Sequence, residues 1–324
     1  MCFYVKIKGK VGFYKEYLGG SQVKKVQVLM SAYNGEKYIS KQIDSILQQD
    51  YQDIHILIRD DGSRDKTVSI LKEYSEKYHN ISYYQGENKG VVGSFFDLMQ
   101  HANKEMDYYS FSDQDDYWLQ EKISHAIQYL ETKQTTPDVP LLYCSNTMPV
   151  DENLNPIASA VPYKNFRPTF GNAVIQNINT GCTCVVNRKV IEMVSKELPN
   201  FSVMHDWWLY LVASCFGEVY FDESAYILYR QHGGNTVGAR TSKLEHWKFR
   251  IRNYKKNRGQ ICRQNEEFKR IFQPIGENAR WLDLVIDSPH SMKKRIAMIK
   301  NPRIYRQKKS DDLIYKIMVL FGNT

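Results

Sequence analysis

The sequence predicts an α/β fold with a mostly parallel central sheet. Short apolar runs alternate with helical patterns between residues 26 and 111, and each run ends in a polar, turn-forming loop. We predict strands over 26–30, 54–59, 81–84 and 108–111, and helices over 37–49, 65–78 and 91–102. This strand–helix–strand order is typical of parallel strands that are joined by crossover helices. Ligands of such sheets bind beyond the carboxyl ends of the strands, so the chemistry is expected in those loops.

The spacing of apolar residues supports each predicted helix of this half. In the first helix they are Tyr38, Ile39, Ile43, Ile46 and Leu47, and in the second they are Val68, Leu71, Tyr74 and Tyr78. These steps of three and four residues place the side chains on one face of a helix.

The second half of the chain is less regular. We predict strands over 141–145, 183–187 and 218–221, and a strongly apolar helix over 204–216. Beyond about Gly238 the pattern becomes helical and basic, with Leu244, Trp247, Ile251 and Tyr254 on one stripe. This pattern is that of a basic amphipathic helix, and a helix that packs its stripe on the domain is the alternative.

Charge is distributed unevenly along the 324 residues. The net charge is +8, but the stretch from Arg240 to the end holds 21 Lys and Arg against 8 Asp and Glu, a net of +13. Such asymmetry implies an anionic partner: a membrane surface, a nucleic acid or a phosphorylated substrate. We expect the basic region to bind an anionic membrane surface, and a role in homo-oligomerisation is the alternative.

These patterns divide the chain into three parts. Residues 1–22 form an N-terminal extension, and a natural start near Val23 is a hypothesis. Residues 23–238 form the α/β domain, and residues 239–324 form the basic, mainly helical region. No apolar run approaches the ~20 residues that span a bilayer, and charged residues interrupt the N-terminus where a signal peptide would have its apolar region. We therefore expect a cytoplasmic protein, peripheral at the inner face of the plasma membrane.

The six cysteines do not predict a metal or redox site. Cys182 and Cys184 lack the spacing of a zinc site, and no second pair matches them. If residues 182 and 184 were both in a strand, the two side chains would lie on the same face, as small core residues.

The most informative motif is Asp113-Gln114-Asp115-Asp116, which follows the predicted strand 108–111. Clustered carboxylates repel one another unless a cation lies among them, and Mg²⁺ typically uses one or two carboxylates together with substrate phosphates. An acidic loop that caps the next helix is the alternative. No glycine-rich motif of an NAD site or of a P-loop follows the first strand, so both are disfavoured.

Four loop motifs in this order resemble those of family-two glycosyltransferases, which have the GT-A nucleotide-diphospho-sugar transferase fold. This fold is Rossmann-like, with a mostly parallel central sheet flanked by helices. The motifs are Ser31-Ala32-Tyr33-Asn34-Gly35, Asp60-Asp61-Gly62-Ser63-Arg64-Asp65, Asn88-Lys89-Gly90 and the Asp-x-Asp motif Asp113-Gln114-Asp115-Asp116.

The resemblance implies a role for each motif. The nucleotide-sugar-binding residues are Ala32, Tyr33, Asn34, Asp60, Asp61, Asn88, Gly90, Asp113, Gln114 and Arg230. Among them, Tyr33 and Asp60 would meet the base, whereas Asp61 more plausibly organises the site. Asp115 would bind a divalent cation, Mg²⁺ or Mn²⁺, at the donor diphosphate. Asp116 would serve only as the cap of a helix that begins near Trp118.

Two later motifs extend the resemblance. Met204-His205-Asp206-Trp207-Trp208 matches the family position of the catalytic base, where this chain has His-Asp instead of the common Glu-Asp. We assign the base to Asp206, with acceptor contacts at His205, Trp207 and Trp208. The segment 229–238 resembles bacterial rhamnosyltransferases, in which Arg230 and His232 would face the diphosphate and His232 would be a second metal ligand.

The resemblance therefore implies an inverting glycosyltransferase of cell-wall, capsular or exopolysaccharide synthesis. The implied donor is dTDP-L-rhamnose and the implied acceptor is a lipid-linked saccharide. Alternatives are a glucosyl-, galactosyl- or N-acetylglucosaminyltransferase that uses a UDP-sugar and, less favoured, a nucleotidyltransferase. A nucleic-acid-binding protein would not need the aligned polar loops, so no nucleic-acid partner is expected.

Overall fold

The computed structural model describes residues 23–133, 136, 138–157, 162–231 and 259–322, and the backbone of residues 6–7 and 10–11. The strands are β1 (Lys6–Ile7), β2 (Lys10–Val11), β3 (Val26–Ala32), β4 (Ile54–Asp60), β5 (Ile81–Gln85), β6 (Tyr108–Ser112), β7 (Tyr117–Trp118), β8 (Leu141–Val150), β9 (Val185–Asn187) and β10 (Glu218–Arg230). The helices are α1 (Ile39–Leu47), α2 (Thr67–Lys77), α3 (Gly90–His101), α4 (Lys122–Lys133), α5 (Phe170–Ala173), α6 (Arg188–Lys196), α7 (His205–Phe216), α8 (Gln260–Phe272), α9 (Gly276–Asp287), α10 (Met292–Lys300) and α11 (Lys309–Leu320).

The central sheet has eight strands in the order β5-β4-β3-β6-β9-β8-β10-β7. The strands β5, β4, β3 and β6 are mutually parallel, as the alternation of strands and helices predicts. The strand β9 joins β6 and β8 by antiparallel pairing, and β10 runs parallel to β8. The predicted α/β class is therefore confirmed, with a parallel half and a mixed half.

All seven elements predicted between residues 26 and 111 are present, with ends that shift by at most two residues. In the second half, the structure differs from the predicted elements at two places. No helix begins near Trp118, because Tyr117–Trp118 is a strand that pairs antiparallel with β10. Cys182 lies in a 3₁₀ turn, Gly181–Thr183, and only Val185–Asn187 forms the strand predicted over 183–187.

The sheet buries apolar side chains on both faces. On β3, Val26, Val28 and Met30 pack on one face with α1, α2 and α4, whereas Leu29 points to the other face and packs with α3, α6 and α7. This alternation follows from the two-residue period of a strand. Cys182 and Cys184 also belong to opposite faces, so the prediction that they share one face is wrong.

The described part of the C-terminal region is helical, as predicted, and packs on the face that holds α7. Phe268 of α8 is fully buried, and its ring meets Trp208 of α7 edge-on at 5.6 Å between centroids. Tyr315 and Val319 of α11 are buried in the same core. The boundary at residues 238–239 stays a prediction, and the helix predicted around residues 244–254 lies outside the described residues.

Within the residues that the structure describes, none of the helices has the length and apolar character to cross a membrane.

Candidate active site

The four motif loops lie side by side at one edge of the sheet, because they follow the parallel strands β5, β4, β3 and β6. The chain proceeds from β3 to β4 and β5 on one side and then places β6 on the other side of β3. The carboxyl ends of β3 and β6 thus flank the point where strand order reverses, which is where open α/β sheets bind ligands.

Gln114 bridges this point. Its Oε1 accepts a hydrogen bond from the backbone N–H of Tyr33 at 2.8 Å, and its Nε2 donates to the Tyr33 carbonyl at 2.9 Å. A Cβ at Gly35 would overlap the Gln114 amide, so a side chain there would displace this bridge. Since both ends of the amide are used in this way, Gln114 connects the loops, and a direct contact with a nucleotide sugar stays a prediction.

The loop after β3 leaves the Tyr33 side chain 44% exposed at the mouth of the site. Such a ring is available for stacking on a base. Asn34 has a φ of 49° and connects two loops: its N–H donates to Ser63 Oγ and its Oδ1 accepts from the Arg64 N–H. Ala32 is the last residue of β3 and is fully buried, and its carbonyl accepts the backbone N–H of Asp61 at 2.8 Å. A contact of Ala32 with a nucleotide sugar stays a prediction.

Asp60 ends β4 and is almost fully buried. Its Oδ2 accepts the backbone N–H groups of Gly62 and Ser63, at 3.2 and 3.1 Å. Its Oδ1 has no hydrogen-bond partner among the described residues. A buried acceptor without a partner is costly and needs an explanation. The imide N–H of a pyrimidine base is a donor of the right kind, so the predicted base contact of Asp60 is retained as a prediction.

Asp61 organises the neighbouring loop. Its two oxygens accept the backbone N–H groups of Lys89 at 2.8 Å and of Gly90 at 2.9 Å, and it pairs with the buried guanidinium of Arg59. Gly90 has a φ of +67°, a region that side chains rarely adopt. Asn88 supports the same turn, because its Oδ1 accepts the Gly90 N–H at 3.2 Å.

The acidic loop after β6 places carboxylates close together. Ligand atoms of Asp113, Asp116 and Cys182 lie within 4.8 Å of one another. Burial, followed by the charges of Asp115 and Asp206, raises the pKa of Asp113 to about 7. Because the charge of Asp206 affects Asp113, the predicted base and the acidic loop lie within electrostatic range of each other.

Asp116 is not a helix cap. It is fully buried, its Oδ1 accepts the Arg230 N–H at 3.3 Å, and the next helix begins only at Lys122. Burial raises the pKa of Asp116 well above its usual value, and the charges of Asp113 and Asp115 raise it further. Asp116 therefore connects the acidic loop to the end of β10.

Lys122 lies beneath this loop as well. Its Nζ donates to Ser110 Oγ at 2.7 Å and lies 3.5 Å from the centroid of the Trp118 ring. Burial lowers the pKa of Lys122 to about 7. The charge of Asp116 opposes that shift. With a pKa of about 7, the Lys122 ammonium group beside the acidic loop is only partly protonated near neutral pH.

The donor set of the acidic loop fits a hard divalent cation. Carboxylate oxygens are the ligands of Mg²⁺ and Mn²⁺, and the acidic loop brings carboxylate oxygens of Asp113 and Asp116 within 4.8 Å of each other. Burial keeps the pKa of the Cys182 thiol well above its usual value, so the neutral thiol is a poor ligand. Asp115 as a ligand stays a prediction, and His232 lies outside the described residues.

Asp206 lies in the first turn of α7, near the acidic loop. Its carboxylate accepts hydrogen bonds from Asn177 Nδ2 at 3.0 Å and from the backbone N–H groups of Trp207 and Gly181. Burial outweighs these bonds and raises the pKa of Asp206 to about 7. A carboxylate with a pKa near the working pH has the proton affinity that a general base needs.

The three residues predicted to contact the acceptor beside Asp206 are buried, and contact with an acceptor stays a prediction. Trp208 is fully buried against Phe268, and the Trp207 indole N–H donates to the carbonyl of Ala173 at 2.6 Å. The His205 ring stacks on Phe95 at 3.9 Å, and burial lowers its pKa to about 3. All three side chains therefore pack in the core that holds the start of α7.

Arg230 ends β10 and is buried as well. Its Nε donates to the carbonyl of Asp115 at 2.8 Å, its Nη1 donates to the carbonyl of Glu152, and its guanidinium lies over the Tyr38 ring at 4.6 Å. Arg230 thus holds the backbone of the acidic loop, and a direct contact with a diphosphate stays a prediction.

The geometry agrees with a comparison of the sequence with protein families. The model of the family described as "Glycosyl transferase family 2" matches residues 27–194, which is half of the chain. The chain belongs to glycosyl transferase family 2. The match includes all four loop motifs and ends before Asp206 and Arg230.

Similar proteins agree with this assignment. The chain is 33% identical to dTDP-rhamnosyl transferase RfbG of Shigella flexneri over 226 residues, which cover 66% of this chain and 75% of that protein. The structure of S. aureus TarS residues 1–349 in complex with UDP-GlcNAc has a TM-score of 0.58 at 16% identity, covering 92% of this chain and 89% of that chain. Mannosyltransferase PcManGT from Pyrobaculum calidifontis, in complex with GDP-Man and Mn²⁺, has a TM-score of 0.53 at 14% identity, covering 92% and 76%. At these identities the two structures show the shared GT-A type fold.

Sequence reasoning missed four residues around the site: Arg59, Lys122, Asn177 and Cys182. Arg59 stands inside an apolar strand, where a buried cation signals a paired carboxylate, so its position was the available signal. Asn177 and Cys182 lie more than 60 residues from the acidic loop, and no local pattern connects them to it.

Replacing Asn177 by Ala should shift the pH dependence of sugar transfer, which is the activity of this family. The Asn177 amide stabilises the charged form of Asp206, so its loss raises the pKa of Asp206 further. Hydrogen bonds to charged groups contribute about 1.5–3 kcal/mol, and 1.36 kcal/mol corresponds to one pKa unit. We expect the rising limb of the pH–rate profile to move up by about one unit.

A matched control is Asn278→Ala, because Asn278 Nδ2 donates to the carbonyl of Cys215 at the other end of α7. This variant should keep the wild-type profile. An Asn177→Ala profile that is lower at every pH without a shift would contradict the role of Asn177.

Proposed function

We propose that the chain is an inverting rhamnosyltransferase that moves L-rhamnose from dTDP-L-rhamnose to a hydroxyl of a lipid-linked saccharide. The observation that carries the catalytic part is Asp206: a buried carboxyl with a pKa of about 7, within electrostatic range of the acidic loop. The choice of rhamnose is supported by the similarity to RfbG. A UDP-sugar donor is the alternative.

In this proposal the Asp206 carboxylate accepts the proton of the acceptor hydroxyl. The acceptor oxygen then attacks the anomeric carbon from the face opposite the nucleotide. The bond between that carbon and the diphosphate oxygen breaks, and the nucleoside diphosphate leaves with the electron pair, so the configuration inverts. A divalent cation at the acidic loop would neutralise charge on the leaving diphosphate. Family membership favours this reaction over nucleotidyl transfer.

The remaining residues prepare the site for that step. Tyr33 offers an exposed ring to the base, and Asp60 offers its unpaired oxygen. Gln114 and Arg230 hold the acidic loop, while Asp61 holds the Asn88–Gly90 turn. These contacts hold the acidic loop and the Asn88–Gly90 turn in position before a donor binds. Less conformational entropy is then lost on binding.

We also propose that the protein works in the cytoplasm at the inner face of the plasma membrane, where a lipid-linked acceptor would be found. The support is the net charge of +13 from Arg240 to the end. Each Lys or Arg near an anionic leaflet contributes about 1 kcal/mol to binding, so several exposed cations would keep the enzyme at the surface.

A panel of nucleotide sugars tests the donor. We expect dTDP-L-rhamnose with Mn²⁺ or Mg²⁺ to raise the melting temperature more than UDP-glucose, UDP-galactose or UDP-N-acetylglucosamine at equal concentration. A ligand at 100 times its dissociation constant stabilises the native state by about 2.7 kcal/mol. Omitting the metal should reduce the shift, and a larger shift with any UDP-sugar would contradict the rhamnose proposal.

Replacing Asp206 by Asn tests the base. The change removes the proton acceptor but keeps the shape and the Asn177 contact, so we expect transfer to fall by about 10²–10⁴-fold. Thermal stabilisation by the donor should be retained. The control Asp44→Asn, on the side of α1 that contacts α2 and where Asp44 accepts from the Tyr74 hydroxyl, should transfer normally. Near-normal turnover by Asp206→Asn would refute the assignment.

A further inference from the structure

The helix α11 has two apolar faces. One face is buried, with Tyr315 and Val319 in the core. The opposite face consists of Leu313, Ile317 and Leu320 and continues in the C-cap residue Phe321; these residues are 61%, 47%, 40% and 73% exposed. These residues recur at steps of four, three and one, so they form a continuous stripe along the helix. A helix that only packs on its own domain would carry polar residues there.

The neighbouring helix α10 exposes a similar face. Met292 and Ile296 are 54% and 42% exposed, and Lys293 and Lys300 are exposed beside them. The end of α11 lies against α10, because Arg295 Nη1 donates to the Leu320 carbonyl at 3.4 Å. We call the exposed residues Met292, Ile296, Leu313, Ile317, Leu320 and Phe321 the apolar ridge.

Charge around the ridge selects its partner. Residues 291–322 contain nine Lys and Arg against two Asp, a net charge of +7. Two of these cations have partners, because Lys316 pairs with Asp312 and Lys294 pairs with Asp287, just before the segment. Lys309 lies on the same face as Leu313 and Ile317, one helical turn before them, and is exposed. A second copy of this chain would bring a like charge to the ridge, whereas an anionic surface would complement it.

We propose that the apolar ridge inserts into the interfacial layer of an anionic lipid bilayer, with the flanking Lys and Arg side chains at the headgroups. Apolar side chains on one face and cations beside them are the features of helices that lie in a membrane interface. The proposal deepens the membrane placement of the proposed function, because it names the surface and its mode of contact. The active-site loops and the choice of donor do not enter into it.

Vesicle binding tests the ridge without donor or acceptor. The full chain would be titrated with vesicles of phosphatidylcholine containing 30% phosphatidylglycerol, and with pure phosphatidylcholine, and binding measured by co-sedimentation. We expect clear binding only with phosphatidylglycerol. The variant Leu313→Ser/Phe321→Ser should bind at least tenfold more weakly, because two inserted side chains are lost. The variant Lys293→Gln/Lys309→Gln should bind the anionic vesicles about fivefold more weakly for each Lys removed. This difference should shrink at high salt, which screens the charges.

The matched control is Val23→Ser/Met148→Ser, which changes two exposed apolar side chains outside the ridge and should bind like the wild type. Melting temperatures verify that the ridge variant is folded, as expected from its intact buried face. The Asp206→Asn variant should bind vesicles normally, so a failure of the ridge is distinguishable from a failure of the proposed chemistry.

Three results would overturn the proposal. The first is equal vesicle binding by the wild type and the ridge variant. The second is no binding of the wild type to anionic vesicles, which would mean that another part of the chain covers the ridge. The third is a wild-type dimer in sedimentation velocity that Leu313→Ser/Phe321→Ser converts to a monomer, which would identify a second copy as the occupant.

Discussion

The repulsion among carboxylates at the end of β6 is the constraint on which the site depends. Ligand atoms of Asp113 and Asp116 lie close together; Asp116 is fully buried, whereas Asp113 and Asp115 are partly exposed. The pKa values of Asp113 and Asp116 are raised, so keeping both charged in the free protein is costly. Arg230 and Gln114 hold the loop in this arrangement through backbone groups. A bound divalent cation would offset that cost, and the same cation would attract the anionic diphosphate of a donor.

Two kinds of residues surround this centre. Tyr33, with its exposed ring, and Asp206, with its raised proton affinity, have properties that suit contact with substrates. Asp61 and Gln114 instead use their side chains on the backbone of neighbouring loops. Substituting the second kind would disturb binding through loop position, although the residues themselves need not touch a ligand.

The parallel half of the sheet could be predicted from sequence, because each strand, helix and loop there is encoded within about 15 residues. The position of the four loop motifs then followed, because each motif comes at the carboxyl end of a predicted strand. The contacts that join the loops to residues distant in sequence could not be predicted in this way. Asp116 is tied to Arg230, which is 114 residues away, and Cys182 enters the acidic cluster through a turn that resembles a strand in sequence. Trp207, Trp208 and His205 follow a functional motif, yet burial against α8 and Phe95 decides where their side chains lie. Ala32 shows the same limit, because the last residue of a buried strand faces the core.

The central claim is that the fold holds acidic-loop carboxyls in an environment that disfavours their charge. The pKa of Asp113 rises from its unfolded value of about 3.9 to about 7 in the native state. Between these values the native state binds more protons than the unfolded chain, so the free energy of unfolding should fall as pH rises. The direct measurement is the free energy of unfolding of the wild type and of Asp113→Asn at pH 5 and pH 8, without ligands. The account predicts that the wild type loses more stability than Asp113→Asn between these two pH values, and that Asp113→Asn is the more stable protein at pH 8. An equal loss in both proteins, together with a less stable Asp113→Asn at pH 8, would contradict it.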